Sequence, residues 1–334
     1  MNLTPASTTK ALNMTNKIIL KFNRLGFLGF LNYMKATVYY FLQNDLLKKK
    51  YMTRRIHDYK LSLDLADKGI SRQLVKSGTR EEQLRYILKN EIKPGMTILD
   101  IGANIGYYPI MEAKLAGTTG FIYAVEPSPD NFQQLLNNIK LNNLDAQFKT
   151  YNIGISSSVG QERFFLSTHS NLHTFIRDGF NGSYTTKGVS DDYLEVEVTD
   201  LSTFLKDKKN VDLIRMDVEG YEVEILEGLE TAISTSLFNG KIVFECHFPK
   251  YDNDKHSIRK QIEMLFRNSY KIKYMTSNDD KKSRIRELGY KPVKTIRTGD
   301  VTTQSVYVNI SDRDAITLIS ELGGVRDVLF QKVK

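Results

Sequence analysis

The chain has 334 residues, enough for one large domain or two small ones, and its 41% hydrophobic content supports a buried core. A single cysteine, Cys246, excludes internal disulfides and a cysteine zinc cluster, and it fits a reducing compartment such as the cytoplasm. The net charge of +8 is uneven: residues 1–60 hold eleven Lys and Arg against two Asp, residues 258–297 hold twelve against four acids, and residues 61–257 carry −8.

Residues 1–60 read as a basic N-terminal extension, and 61–334 as the catalytic domain, with a basic insertion over 275–304. Met1–Asn16 is polar. Ile18–Leu42 is apolar and aromatic, but Lys21, Arg24 and Lys35 within it speak against a membrane span or a signal peptide. It reads as one or two amphipathic helices. With Lys48–Lys50 and Arg54–Arg55 following, the expected partner is an anionic membrane touched peripherally. A helix packed on the core or on a partner subunit is the alternative.

A helix is expected over Arg80–Asn90, and Pro94-Gly95 turns into strand Thr97–Ile101. Helix one starts near Gly106. Strand Gly120–Val125 ends at Pro127 and Pro129, before helix Asn131–Asn142. Phe148–Ile155 is the third strand. Gln161–Phe165 and Tyr193–Val198 alternate and suggest a hairpin covering the site. The polar stretch Ser167–Ser190 between them reads as a binding loop. Leu201–Leu205 opens a short helix, followed by strand Val211–Met216, helix Val223–Leu229 and strand Lys241–Glu245. Helix His256–Asn268, strand Lys271–Met275, a last strand Ser305–Ile310 and a closing helix Asp312–Leu322 complete the pattern. Strands alternating with helices predict an α/β fold, a doubly wound and mostly parallel sheet, with ligands at the carboxyl ends of the strands.

Two segments carry the chemistry. Ile98–Ile110 is a strand running into Asp100, Gly102, Asn104 and Gly106, then a helix. Phe121–Asn131 is a strand ending in a carboxylate, Glu126. Glycines admit a ligand close to the backbone, and a carboxylate on the next strand suits both hydroxyls of a ribose. The spacing is D-x-G-x-N-x-G, neither the dinucleotide G-x-G-x-x-G nor a P-loop. An acid before the first glycine suits a cationic ligand, so S-adenosyl-L-methionine is the expected cofactor. Asp100, Gly102, Asn104 and Gly106 are expected along its methionine and ribose side, Glu126 at the ribose, and Asn152 and Ile153 at the adenine.

An alcohol acceptor needs a base for its proton. Asp217 and Glu219 end strand four, and His247 ends strand five. Asp217 is the preferred base, with Glu219 and His247 as further candidates. His169, His173 and His247 match no zinc spacing, and no metal is expected.

The segments KPGMTILDIGANIGYYPI, YAVEPSPDN, LLNNIKLNN, DLIRMDVEGYEVEILEG and IVFECHF resemble, in that order, the FkbM family of S-adenosylmethionine-dependent methyltransferases. The resemblance runs from about Asp64 to about Ser311, and the D-V-E-G-x-E element at Asp217–Glu222 is its most specific part. It implies the seven-stranded methyltransferase sheet with an antiparallel last strand. It also implies methyl transfer to a hydroxyl of a small molecule or glycan, and a role near the cofactor's amino-acid end for Glu81. The alternative is a nucleic-acid methyltransferase using the basic arms. No N/D-P-P-Y motif and no cysteine placed for base attack support that, so nucleic acid is not the expected partner.

Overall fold

The computed structural model describes residues 33–177, 189–208, 210–252, 254–297 and 303–333, together with a few positions between 22 and 31. The polar tail, much of Ile18–Leu42, part of the Ser167–Ser190 loop and part of the basic insertion lie outside the described residues.

Helix α1 (residues 33–41) leads to a hairpin, β1 (Tyr51–Ile56) and β2 (Tyr59–Asp64), then to α2 (Ile70–Ser77) and α3 (Glu82–Glu91). The sheet then builds through β3 (Thr97–Ile101), α4 (Tyr107–Ala116), β4 (Phe121–Val125), α5 (Pro129–Leu141) and β5 (Phe148–Tyr151). A three-stranded excursion follows, made of β6 (Gly154–Ser156), β7 (Gly160–Ser167) and β8 (Val189–Asp200) in the order β6-β8-β7. The chain returns through α6 (Leu201–Leu205), β9 (Leu213–Met216), α7 (Glu222–Ser234), β10 (Lys241–Glu245), α8 (Ile258–Arg267) and β11 (Tyr270–Ser277). It finishes with α9 (Arg284–Glu287), β12 (Lys294–Arg297), β13 (Thr303–Tyr307), α10 (Asp312–Thr317) and β14 (Val325–Lys332).

The central sheet has nine strands in the order β12-β13-β11-β14-β10-β9-β3-β4-β5. The stretch from β5 to β11 is the expected seven-stranded arrangement, and β13 and β12 extend it beyond β11. From β10 to β5 every neighbouring pair is parallel, whereas β14 is antiparallel to both β10 and β11. The last strand is therefore β14, inserted in the sheet interior. The segment expected as last strand, Ser305–Ile310, contributes to β13, and the expected closing helix is followed by Val325–Lys332. Phe148–Ile155 is not one strand: it divides at Asn152, whose amide turns to donate to the Glu126 and Pro127 carbonyls.

Alternate residues of the inner strands face two apolar layers, as the pleat requires. Leu99, Ile101, Tyr123, Val125, Ile214 and Phe244 pack with α7, α8 and the β14 residues Val328 and Phe330. Ile98, Ile122, Ala124, Leu213 and Val243 pack on the other face with α2–α5 and the β1–β2 hairpin, which buries Met52, Ile56, Tyr59, Leu61 and Leu63. The carboxyl ends of β3, β4, β9 and β10 thus open together at one edge of the sheet.

Candidate active site

At the end of β3, Gly102 has φ +81°, and a β-carbon there would stand 2.1 Å from the Asp217 carbonyl oxygen. The close approach of the turn after β3 to the end of β9 therefore requires glycine at this position. Two residues on, Asn104 adopts a left-handed conformation (φ 49°) and donates its backbone N–H to Glu126 Oε2 at 2.8 Å. The Ser128 N–H holds Oε1 at 2.9 Å. Glu126 is buried, and burial pushes its carboxyl up to about 7, although these two amides pull the other way.

Gly102, Asn104 and Glu126 line a cleft together with Ile101, Val125, Pro127, Gly154, Ile155 and Asp217. Phe164, Phe175 and Tyr221 form its apolar end, and the Phe175 and Tyr221 rings lie 4.8 Å apart. The segment from Thr168 to Arg177 closes one side. The Ser170 carbonyl accepts from Asn104 Nδ2 at 3.1 Å and Asn131 Nδ2 at 3.0 Å, and its N–H donates to Asp67. His173 in the same segment accepts the Ser167 N–H at Nδ1, and burial lowers its pKa. A second cleft adjoins the first, lined by Ile70, Arg80, Tyr107, Tyr108, Asn171 and Arg215. Gly102, Asn104 and Asp217 belong to both walls.

Behind these clefts lies an ionic network. Arg215 is buried; it meets Asp217 Oδ2 at 2.9 Å and Asp100 Oδ1 at 3.3 Å, and stacks over Tyr108 at 4.1 Å. Asp100 is fully buried, and burial pushes its carboxyl up to about 6. Glu81, itself left-handed at φ 49°, accepts from Arg80, Arg326 and the Tyr108 hydroxyl. Burial disfavours its charge, but Arg80 and Arg326 outweigh that and hold the carboxyl well below its usual range. The positive φ at Glu81 is also why α3 begins at Glu82.

At the end of β10, His247 Nδ1 lies 2.8 Å from Glu222 Oε1, and its Nε2 faces Glu219 at 3.4 Å and Glu245 at 3.9 Å. Burial works against a charge on this ring, but Glu222, Glu219 and Glu245 together hold it well above its ordinary value. Burial, aided by Asp217 and Glu81, pushes Glu245 up to about 8 against the pull of Arg326. Burial also raises Glu219. Asp217, Glu219 and His247 could bring ligand atoms within 4.8 Å of one another, as could Glu81, Asp217 and Glu245. In both groups the carboxylates already face Arg215, His247, Arg80 or Arg326.

The structure thus brings Gly102, Asn104, Glu126, Asp217 and Glu219 together around the clefts. Glu81 and His247 sit in the adjoining network. Asp100 lies beneath the wall, paired with Arg215. Gly106 caps α4 and packs toward Leu135 and Ile110. Asn152 and Ile153 pass beside the cleft: the first bonds the Glu126–Pro127 turn, and the second leans on the core. Sequence reading missed Arg80, Arg215, Glu222 and Arg326 as ionic partners, and Phe164, Phe175 and Tyr221 as walls. Only Glu222 and Tyr221, inside the D-V-E-G-x-E element, carried a signal.

A parallel sheet with a reversed penultimate position, a glycine turn after its first inner strand and an amide-held carboxylate after the next define a class I S-adenosylmethionine-dependent methyltransferase. The cleft's chemistry fits that cofactor: the Glu126 carboxylate is fixed for hydroxyl donors, and the buried Ser170 hydroxyl has no partner. The methyltransferase FkbM domain model matches residues 100–292, and the chain belongs to that family.

Among curated relatives, the hexuronic acid methyltransferase AglP of Haloferax volcanii is 30% identical over 167 residues, covering 50% of this chain and 62% of its own length. Methyltransferase sdnD of Sordaria araneosa is 29% identical over 193 residues, covering 50% of this chain and 70% of its own. The chain therefore spans somewhat under two thirds of the Haloferax relative. Among solved structures, methyltransferase FkbM from Methylobacillus flagellatus is 15% identical with a TM-score of 0.38, covering 71% of this chain and 54% of that one. M. jannaschii TYW2 in complex with AdoMet is 16% identical with a TM-score of 0.38, covering 85% and 88%.

Proposed function

We propose that the chain methylates a hydroxyl of a small molecule or glycan, and that an acidic sugar is the first acceptor to try. The observation that carries this reading is the position of Asp217. It lies on the wall shared by the two clefts, so one carboxylate reaches both the cofactor side and a second, separate space. The acidic sugar follows from the activity named for the Haloferax relative.

When bound, S-adenosylmethionine supplies a methyl carbon already activated by its sulfonium. Glu126 would accept from the two ribose hydroxyls. Gly102 would let the cofactor lie against the backbone, and the apolar end at Phe164, Phe175 and Tyr221 would receive the adenine. Arg215 holds Asp217 by one oxygen, which leaves the other free for the acceptor. With the cofactor and an alcohol acceptor bound, Asp217 would accept the hydroxyl proton at its free carboxylate oxygen. His247, facing Glu222 at 2.8 Å through Nδ1 and Glu219 at 3.4 Å through Nε2, orients Glu219. Alignment of acceptor and methyl carbon is the larger contribution.

The test is a panel of uronic-acid and neutral glycosides with labelled cofactor, followed by alkaline treatment of the product. An alkali-stable methyl ether supports the reading. An alkali-labile methyl ester, or methylation of amines alone, overturns it.

A further inference from the structure

We propose that the N-terminal helix lays an apolar stripe on an anionic lipid surface, with the lysines that follow it bound to the head groups. The helical residues at positions 26–27, 29–31 and 33–41 present two different faces. Tyr33, Ala36, Thr37 and Tyr40 are half-buried and turn toward the protein. The Tyr40 hydroxyl donates to the Leu65 carbonyl at 2.7 Å, Lys76 lies 6.0 Å from its ring centre, and the ring packs on the apolar layer beneath. The helix is thereby docked by one side.

The other side is uncovered. Phe27, Leu31, Met34, Val38 and Phe41 are exposed, at 66%, 37%, 40%, 52% and 57%. Their spacing of four, three, four and three residues puts all five on one stripe of a helix. Leu42, Leu46 and Leu47 prolong the exposed apolar surface. Five large apolar side chains in one line, all facing water, mark an interaction surface rather than scattered surface residues.

Charge decides between the occupants. Lys35 flanks the stripe, and Lys48, Lys49, Lys50, Arg55 and Lys60 are exposed just beyond it. Residues 1–60 hold eleven Lys and Arg against two Asp. A second copy seated on the stripe would set two such segments side by side. Acidic lipid answers both features: the stripe enters the acyl boundary and the basic residues meet the head groups. No helix among the described residues is long and apolar enough to cross a membrane, so the contact is peripheral.

Flotation of the full chain with phosphatidylserine–phosphatidylcholine vesicles tests this, with pure phosphatidylcholine vesicles as the neutral arm. The chain floats with the acidic vesicles at low salt and loses them as salt screens the charge. Lys48→Gln, Lys49→Gln and Lys50→Gln together weaken binding by about a hundredfold. Leu31→Asp with Val38→Asp abolishes it, with melting temperature unchanged because both side chains face water. Failure to float with acidic vesicles overturns the proposal, as does equal flotation of either variant. Light scattering that shows a dimer dissociated by Leu31→Asp with Val38→Asp also overturns it, in favour of a second copy. The hydroxyl-methylation reading is untouched by any of these results.

Discussion

The Asp217 carbonyl oxygen occupies the space a β-carbon on residue 102 would need, at 2.1 Å. The cofactor turn and the proposed catalytic strand end are thus in backbone contact, and neither can shift without the other. Gly102→Ala places a side chain at φ +81° and against a carbonyl. The conformation alone costs about 1–3 kcal/mol. Cofactor affinity and turnover are expected to fall together, each by at least about tenfold, with a lowered Tm. Calorimetry and single-turnover kinetics check this, and wild-type values for either quantity would show that the contact is not binding the two elements.

Glu126→Ala removes an acceptor already oriented by two backbone amides. Hydrogen bonds to a charged group contribute about 1.5–3 kcal/mol each, so affinity for the cofactor should weaken by roughly tenfold to a thousandfold. The pH dependence gives a second check. With its carboxyl pushed up to about 7, Glu126 is protonated below that pH and ionised above it. A ribose diol needs the ionised form, so affinity rises with pH through neutrality and then levels off. The Ala variant should show a flat profile over the same range.

Asp217→Asn keeps the shape of the wall and the bond to Arg215 but removes the proposed base. Turnover should drop about a hundredfold to ten-thousandfold, with the dissociation constant of the cofactor changed little. Retention of turnover within a few-fold of wild type would remove Asp217 from the chemistry and turn attention to Glu219 and Glu245.

His247 makes stability depend on alkaline pH. Its folded-state pKa lies well above the ordinary 6.5, so the folded protein holds this proton more tightly than the unfolded chain does. The resulting stability is fully present below about pH 6.5 and is lost as pH rises through the folded value. Thermal melts from neutral to alkaline pH should show a steeper fall for the wild type than for His247→Gln. A constant difference between the two across that range would contradict the assignment.

The inner sheet was legible because its strands are apolar on both faces and are punctuated by Gly and Pro. Lys241–Glu245 and Leu201–Leu205 have the bounds their patterns suggest. The hairpin Tyr51–Asp64 was missed although Tyr59, Leu61 and Leu63 alternate with Lys60 and Ser62, because the basic residues around it suggested an extension. Strand β14 was missed because the expected sheet already had a last strand. In the site, Gly102, Asn104, Glu126 and Asp217 follow local rules of turn and strand end. Arg80, Arg215 and Arg326 do not: each is recruited by a carboxylate far away in sequence, as Arg326 is by Glu81, and no local spacing records that. Asp100 looked like a ligand group because its position in the turn is visible, whereas its partner Arg215, on another strand, is not.

Two asparagine side chains, from different elements, converge on the single carbonyl of Ser170, and Asp67 holds the same residue's N–H. Three such bonds at about 1 kcal/mol each leave an open form near one molecule in a hundred. Spent cofactor could then depart by a brief swing of one segment, with no rearrangement of the sheet.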